Sequence, residues 1–157
     1  MKISLITAFT EEGVIGAKDG LPWDIPDDLK YFKEKTEGKT VLMGKVTFDT
    51  IGRILPKRNN IILDYEKRPI EGAWVAGSID EALEQAEEIG DELFVIGGAT
   101  VYDQMMSKVD TLYISHIKKN YPGDVYFPQY DKKLWQEVAR EEYDEFDAVT
   151  YNRIQAK

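Results

Sequence analysis

Short apolar runs recur along this chain at strand length, and helical or turn-forming stretches separate them; that alternation is the pattern of an α/β fold. Strand signals fall at Lys2–Phe9, Thr40–Met43, Asn60–Leu63, Ala73–Ala76, Leu93–Ile96 and Thr111–Ile117. Helices are predicted near Pro26–Thr36, Lys45–Ile51, Ile79–Ile89 and Ala99–Met106. Near-continuous runs such as Val41-Leu42-Met43 and Leu93-Phe94-Val95-Ile96 suit parallel strands buried on both faces. The third helix carries its own punctuation, a capping box at Ser78-Ile79-Asp80-Glu81 and a stop at Gly90. After Ser115 the style changes: Leu134–Arg140 and Val149–Ile154, separated by the polar Glu141–Asp147, read as an antiparallel hairpin added to the sheet. The expected fold class is α/β: a single domain over residues 1–157 with a mixed, mostly parallel central sheet, a C-terminal antiparallel hairpin and about four flanking helices. In such sheets ligands collect beyond the carboxyl ends of the strands.

Composition narrows the chemistry. A chain of 157 residues with 43% hydrophobic content buries one proper core, so one site is expected. There is no cysteine, which excludes disulfides and thiolate metal centres, and one histidine weakens a zinc reading; no metal site is expected. The formal charge of −9 argues against nucleic acid, since phosphate neutralisation needs clustered Lys and Arg. It does not forbid an anionic small molecule held by specifically placed cations. Glu11 and Glu12 follow the apolar run Ile3 to Phe9 and no apolar span reaches the ~18 residues of a membrane helix, so a cytoplasmic protein with no membrane partner is expected. No exposed apolar helix stripe demands a second copy, and the expected state is a monomer.

Leu21-Pro22-Trp23-Asp24-Ile25-Pro26-Asp27-Asp28-Leu29-Lys30-Tyr31-Phe32 places an acid where acids rarely sit. Pro26 suits a first helical turn, and Asp27 and Asp28 suit the positive end of the helix dipole. At 100° per residue Ile25, Leu29 and Phe32 share one stripe, Asp28 lies at its margin, and Asp27 points almost opposite. Both aspartates can be plain helix-start residues. A carboxylate beside Trp23, Leu29 and Phe32 would also lose hydration, which raises its pKa unless donors fill the space beside it. A flat heterocycle with amino and ring N–H groups would satisfy Asp28 and stack on Phe32.

Two strand ends carry glycines. Met43-Gly44-Lys45-Val46-Thr47 runs from strand into helix, where free N–H groups, Lys45 and Thr47 can meet a phosphate; Ile96-Gly97-Gly98-Ala99-Thr100-Val101-Tyr102 repeats the arrangement. Either alone is a tight turn as readily as a site, and neither has Rossmann or P-loop spacing. Together they favour a bound dinucleotide. The long loop Thr10–Asp24, with Gly13, Gly16 and Gly20, reads as a lid with Leu21 closing over a ligand, or as an ordinary mobile surface loop.

These pieces form an ordered set. Val14-Ile15-Gly16, Leu21-Pro22-Trp23, Asp28-Leu29 with Phe32-Lys33, Met43-Gly44-Lys45 with Thr47-Phe48, Leu55-Pro56 with Arg58, Val95-Ile96-Gly97-Gly98 with Val101-Tyr102, Leu112 to Ile117, and Gly123-Asp124 to Phe127-Pro128 together resemble dihydrofolate reductase over essentially the whole chain. The resemblance implies NADPH-dependent reduction of 7,8-dihydrofolate to tetrahydrofolate, with hydride delivered to pterin C6 and a proton to N5. It implies that Asp28 binds the 2-amino group and N3 and promotes N5 protonation, with Leu21 and Trp23 beside it in the catalytic group. It implies a substrate pocket of Ile6, Ala8, Phe32, Thr50, Ile51 and Leu55, with Ser115 sharing a water with the acid and Arg58 on the α-carboxylate of the glutamate tail. For the cofactor it implies Ala8, Ile15, Gly16, Gly20 and Leu21 near the nicotinamide. Gly44, Lys45, Val46, Thr47, Leu63 and Asp64 then fall toward the adenosine end, and Ile96, Gly97, Gly98, Ala99, Thr100, Val101 and Tyr102 at the second turn. Asp124 belongs to a loop that steadies the closed lid in relatives.

Some positions depart from that pattern. Val46 stands where relatives carry a basic or polar residue, and Asp64 where they often carry serine. A carboxylate at 64 would repel a 2′-phosphate or accept from a free ribose diol, so NADH is the alternative cofactor; Lys45 argues for NADPH. Alternation points His116 away from the pocket face, as a structural residue, and Trp74 and Trp135 are expected in core or hairpin packing. The rival readings are a reductase acting on a pyrimidine or pterin precursor and a noncatalytic nucleotide-binding module.

Overall fold

The apolar runs become the middle of one sheet. This computed structural model describes residues 1–16 and 21–154. Its elements are β1 (Lys2–Thr10), β2 (Val14–Gly16), α1 (Pro26–Thr36), β3 (Thr40–Gly44), α2 (Lys45–Ile51), β4 (Asn59–Leu63), β5 (Trp74–Ala76), α3 (Ile79–Ile89), β6 (Glu92–Gly97), α4 (Ala99–Met105), β7 (Thr111–Ile117), β8 (Val125–Tyr126), β9 (Trp135–Glu142) and β10 (Phe146–Arg153). The eight-stranded sheet has the order β5-β4-β3-β6-β1-β7-β10-β9. Strands β5 to β7 in that order are parallel, and β10 runs antiparallel to both neighbours. The molecule is a single α/β domain, as the alternation requires.

Both faces are covered, which explains the continuous apolar runs. On one face Ile6, Val41, Met43, Ile62, Phe94, Ile96 and Phe146 pack with Trp23 and with Ile25 and Tyr31 at α1, while Phe48 of α2 leans on them. On the other, Leu5, Leu42, Ile61, Leu93, Val95, Leu112 and Ile114 pack against Ala82 and Ala86 of α3 and Val101, Tyr102 and Met105 of α4. Each fully buried Leu or Ile contributes about 1.5–3 kcal/mol. At the start of α3, Ser78 Oγ accepts from the Glu81 N–H at 3.1 Å. The other half of the expected capping box is displaced: Glu81 accepts from Gly77 N–H (2.7 Å) and pairs with Lys67.

Two expectations are corrected, and a third gains a structural detail. The hairpin strands extend into the polar stretch that was to separate them, because Arg140 pairs with Asp147 across the strands at 3.1 Å and Phe146 is fully buried. Trp74 is exposed on the short edge strand β5, so it is not a core residue, whereas Trp135 is buried. The loop read as a lid is anchored in its first half, where β2 pairs antiparallel with β8. Gly13 N–H donates to Thr10 O, and Phe127 N–H donates to Gly13 O.

Gly123, just before Asp124, seals that anchor. A Cβ built there would lie 2.5 Å from both Gly16 O and Val14 Cγ1. Gly123→Ala is therefore expected to cost about 1–3 kcal/mol by forcing β2 and the Gly123 segment apart, read as a lowered denaturation midpoint. An unchanged midpoint would mean that the two segments separate without cost.

Candidate active site

The carboxyl ends of β1, β3, β4, β6 and β7 open at the same edge of the sheet, and the candidate residues gather there. In register, Ala8 lies beside Ser115, Met43 beside Gly97 and Gly44 beside Leu63. Ile6 and Ala8 belong to the α1 face of β1.

Helix α1 delivers the acid. Its N-cap is Ile25, which makes no side-chain cap bond, and Pro26 opens the first turn. The helix phase is set by burying Ile25 and Tyr31, so Asp28, between them on the same face, is carried inward to 9% exposure. Asp27 stays exposed. Here the predicted stripe is corrected: Leu29, placed on it by periodicity, is 53% exposed, because the buried face is centred on Asp28 itself and Leu29 lies 100° away. Burial raises the Asp28 pKa above the usual carboxylate value, and a hydrogen bond with Ser115 opposes that shift. Ser115 is itself buried beside the acid. Trp23 is buried with its indole Nε1 lacking any hydrogen-bond partner among the described residues, a donor that a bound polar group would satisfy.

The two glycine turns form one locus. A Cβ at Gly98 would lie 3.1 Å from Thr47 Oγ1, and one at Gly44 would lie 3.2 Å from Val101 Cγ2. Thr47 of α2 thus stands over the Gly97–Gly98 turn, and any larger residue at Gly44 or Gly98 would press on the facing side chain. Gly97 has φ +128° and its peptide bond to Gly98 is cis. Neither Gly44 nor Gly98 supplies a side-chain cap to the helix it precedes, leaving first-turn N–H groups for a ligand. Beneath this locus the Tyr102 hydroxyl donates to Ile6 O at 2.9 Å, joining β1 to α4. This cradle fits a phosphate-bearing cofactor.

The remaining predicted residues sort clearly. Phe32 and Leu55 pack partly buried against the α1-face core. Ile51 and Leu21 are exposed, and the Thr50 hydroxyl donates to Val46 O at 2.9 Å. Val46 is exposed, Thr100 accepts from Gln104, and Ile15 and Gly16 lie on β2. Gly20 lies outside the described residues. Arg58 donates from Nε to Pro56 O (2.9 Å) and from Nη1 to Thr36 Oγ1 (3.1 Å), so it caps its turn while leaving further donors. Lys45 pairs with Asp49 one turn on.

Asp64 overturns its reading as a free carboxylate. It is buried and gripped by Arg68, Nε to Oδ2 at 3.0 Å and Nη2 to Oδ1 at 3.3 Å. The argument for NADH falls with it. His116 lies on the opposite face, its Nε2 2.8 Å from Tyr151 Oη and its ring edge-on to Phe9. The sequence reading missed Leu29 as an exposed side chain beside the acid, signalled by its quarter-turn offset from Asp28, and Arg68, signalled by two acids followed by two cations between Asp64 and Arg68.

A mainly parallel sheet with a buried acid and a shared glycine cradle at its carboxyl edge defines an α/β nucleotide-binding enzyme scaffold. The family model described as dihydrofolate reductase matches residues 2–156. The dihydrofolate reductase of Buchnera aphidicola subsp. Baizongia pistaciae is 40% identical over 149 residues, covering 94% of this chain and 90% of that protein. That of Haemophilus influenzae is 40% identical over 147 residues, covering 94% and 91%. A solved dihydrofolate reductase from Enterococcus faecalis, complexed with NADP(H) and RAB-propyl, superposes with a TM-score of 0.92 at 35% identity, covering 98% of this chain and 97% of that one. The chain belongs to the dihydrofolate reductase family.

Proposed function

We propose that this protein reduces 7,8-dihydrofolate to 5,6,7,8-tetrahydrofolate with NADPH, and that Asp28 promotes protonation of pterin N5. The observation that carries the reading is the buried Asp28, its pKa raised by desolvation, in a domain whose two glycine turns meet at the carboxyl edge of the sheet. Family membership supports the substrate and cofactor, and the structural relative complexed with NADP(H) supports NADPH.

In this reading Asp28 and Ser115 receive the 2-amino and N3 hydrogens of the pterin, a polar match that an apolar pocket could not make. Trp23 Nε1 donates to the bound substrate or its water. Phe32, Leu29, Ile51 and Leu55 form the apolar wall along the pterin and aminobenzoyl groups, Ile6 and Ala8 the floor, and Arg58 turns its remaining donors to the tail carboxylate. Gly44 to Thr47 and Gly97 to Tyr102 hold the cofactor's phosphates and position its reactive ring. When bound, NADPH supplies the hydride for pterin C6. The protein's own part is orientation, exclusion of water and a proton held near N5 by a carboxyl that burial keeps protonated to higher pH than an exposed one. The charged, exposed outer strand β9 supports action as a monomer.

Steady-state oxidation of NADPH with dihydrofolate, followed by nicotinamide absorbance, tests this. Oxidation that depends on dihydrofolate is expected. Its absence, with cofactor still bound, would mean that the scaffold serves another substrate.

A further inference from the structure

Strands β3 and β4 leave the sheet side by side, Gly44 paired with Leu63. Two residues beyond that pair each strand exposes a large side chain, Val46 and Tyr65. Lys45, the cation nearest the β3 end, is tied to Asp49. Beyond β4 the chain curls back: Lys67 N–H donates to Asp64 O, Lys67 has φ +51°, and Arg68 returns over Asp64. Every oxygen of that carboxylate is engaged, Oδ1 by the Glu66 N–H (3.1 Å) and Arg68 Nη2, Oδ2 by Arg68 Nε. A guanidinium has five N–H donors. Asp64 uses two on the Nε–Nη2 edge, and the others point away from it.

The pair is stacked by depth. Asp64 is buried, at 4% side-chain exposure, and Arg68 is open, at 58%. The acid's charge is cancelled from behind while the cation is open to solvent, so an approaching anion meets the positive end of a dipole. Holding a long arginine by two bonds also removes much of the rotamer freedom it would lose on gripping a ligand. Glu66 Oε2, 3.4 Å from Nε, is exposed and can be displaced.

We propose that Arg68, aimed by the buried carboxylate of Asp64, recognises the 2′-phosphate of NADPH in this chain, with Asp64 a positioning residue and not a partner of the ribose diol. This rests on the proposed function, with the cofactor's adenosine end falling toward Gly44 to Thr47, Leu63 and Asp64 as the family resemblance implies.

Calorimetric titration of NADPH, NADH, adenosine 2′,5′-bisphosphate and 5′-AMP into the wild type, Arg68→Gln, Arg68→Lys and Asp64→Asn tests it, with a melting curve for each variant. Arg68→Gln is expected to weaken NADPH and the bisphosphate by at least ~10-fold, the scale of a lost charge-assisted pair. NADH and 5′-AMP should stay within about twofold, and Arg68→Lys should recover only part of the loss. Asp64→Asn should weaken the same two phosphate-bearing ligands and spare NADH. Equal losses for NADPH and NADH in the arginine variants would overturn the proposal, as would a selective loss of NADH in Asp64→Asn. Turnover of dihydrofolate by the wild type is read separately, so a failed substrate assignment leaves these titrations interpretable.

Discussion

Asp28→Asn is expected to lower kcat/KM for dihydrofolate at pH 7 by at least ~10²-fold while making the ligand-free protein more stable. The two effects have one cause. Burial of Asp28 disfavours its ionised form and raises its pKa in the folded state. A group raised in this way binds its proton more tightly folded than unfolded, so its contribution to stability is complete below the unfolded Asp value of about 3.9. That contribution is lost as pH rises through the folded pKa. Above the folded pKa the ligand-free protein carries a desolvated charge, and asparagine removes it while keeping the shape of the side chain. The melting temperatures of wild type and variant should converge toward pH 3 and separate above it, with the variant higher. In the wild type, turnover should fall as pH rises through the same folded pKa, since the protonated carboxyl is the form that assists N5. A variant with near-normal turnover would remove Asp28 from the mechanism, and one less stable at pH 7 would mean that the carboxylate is better solvated than its burial indicates.

Phe146→Ala is expected to cost about 3–5 kcal/mol, the range for emptying a buried aromatic site. Phe146 is fully buried, lies opposite Ile117 of β7 and stacks on Tyr143 with ring centroids 4.4 Å apart and planes at 9°. It belongs to the same cluster as Trp23, Ile25 and Tyr31, so the void would open behind the helix that carries Asp28. Against a usual total of about 5–15 kcal/mol, the loss should appear as a large fall in the urea midpoint with the slope preserved. A loss under about 1 kcal/mol would mean that the hairpin closes over the gap.

Much of the sheet was legible because each buried strand announces itself locally. Val41-Leu42-Met43 can hardly be anything but a strand covered on two faces, and the parallel order followed from helices falling between such runs. Asp28 was legible because a first-turn acid one turn before Phe32 conflicts with its surroundings. The helix phase was not: Ile25 and Leu29 are equally apolar, and only the packing of Ile25 with Trp23 and Phe146 decides which enters the core. The meeting of Thr47 with Gly97 and Gly98 depends on strand register, which no local pattern encodes. Asp64 and Arg68 are four residues apart, a spacing usually read on helices; here a turn with Lys67 in the left-handed region brings them together. Arg58 caps its turn and keeps further donors, so its turn contacts do not compete with the ligand-binding reading.

The place of β1 in the sheet bears on how the chain is made. It is made before the other strands of this sheet, yet its neighbours are β6 and β7, so Lys2 waits for Glu92 and Ser4 for Thr111. At a synthesis rate of about 5–20 residues per second, Leu5 and Ile6 have no strand beside them for roughly 5–20 s. A chain interrupted before β6 would lack the strand that joins β3 to β1. The topology thus leaves β1 without a partner until the second half of the sheet has been made, while β3, β4 and β5 can already pair with one another.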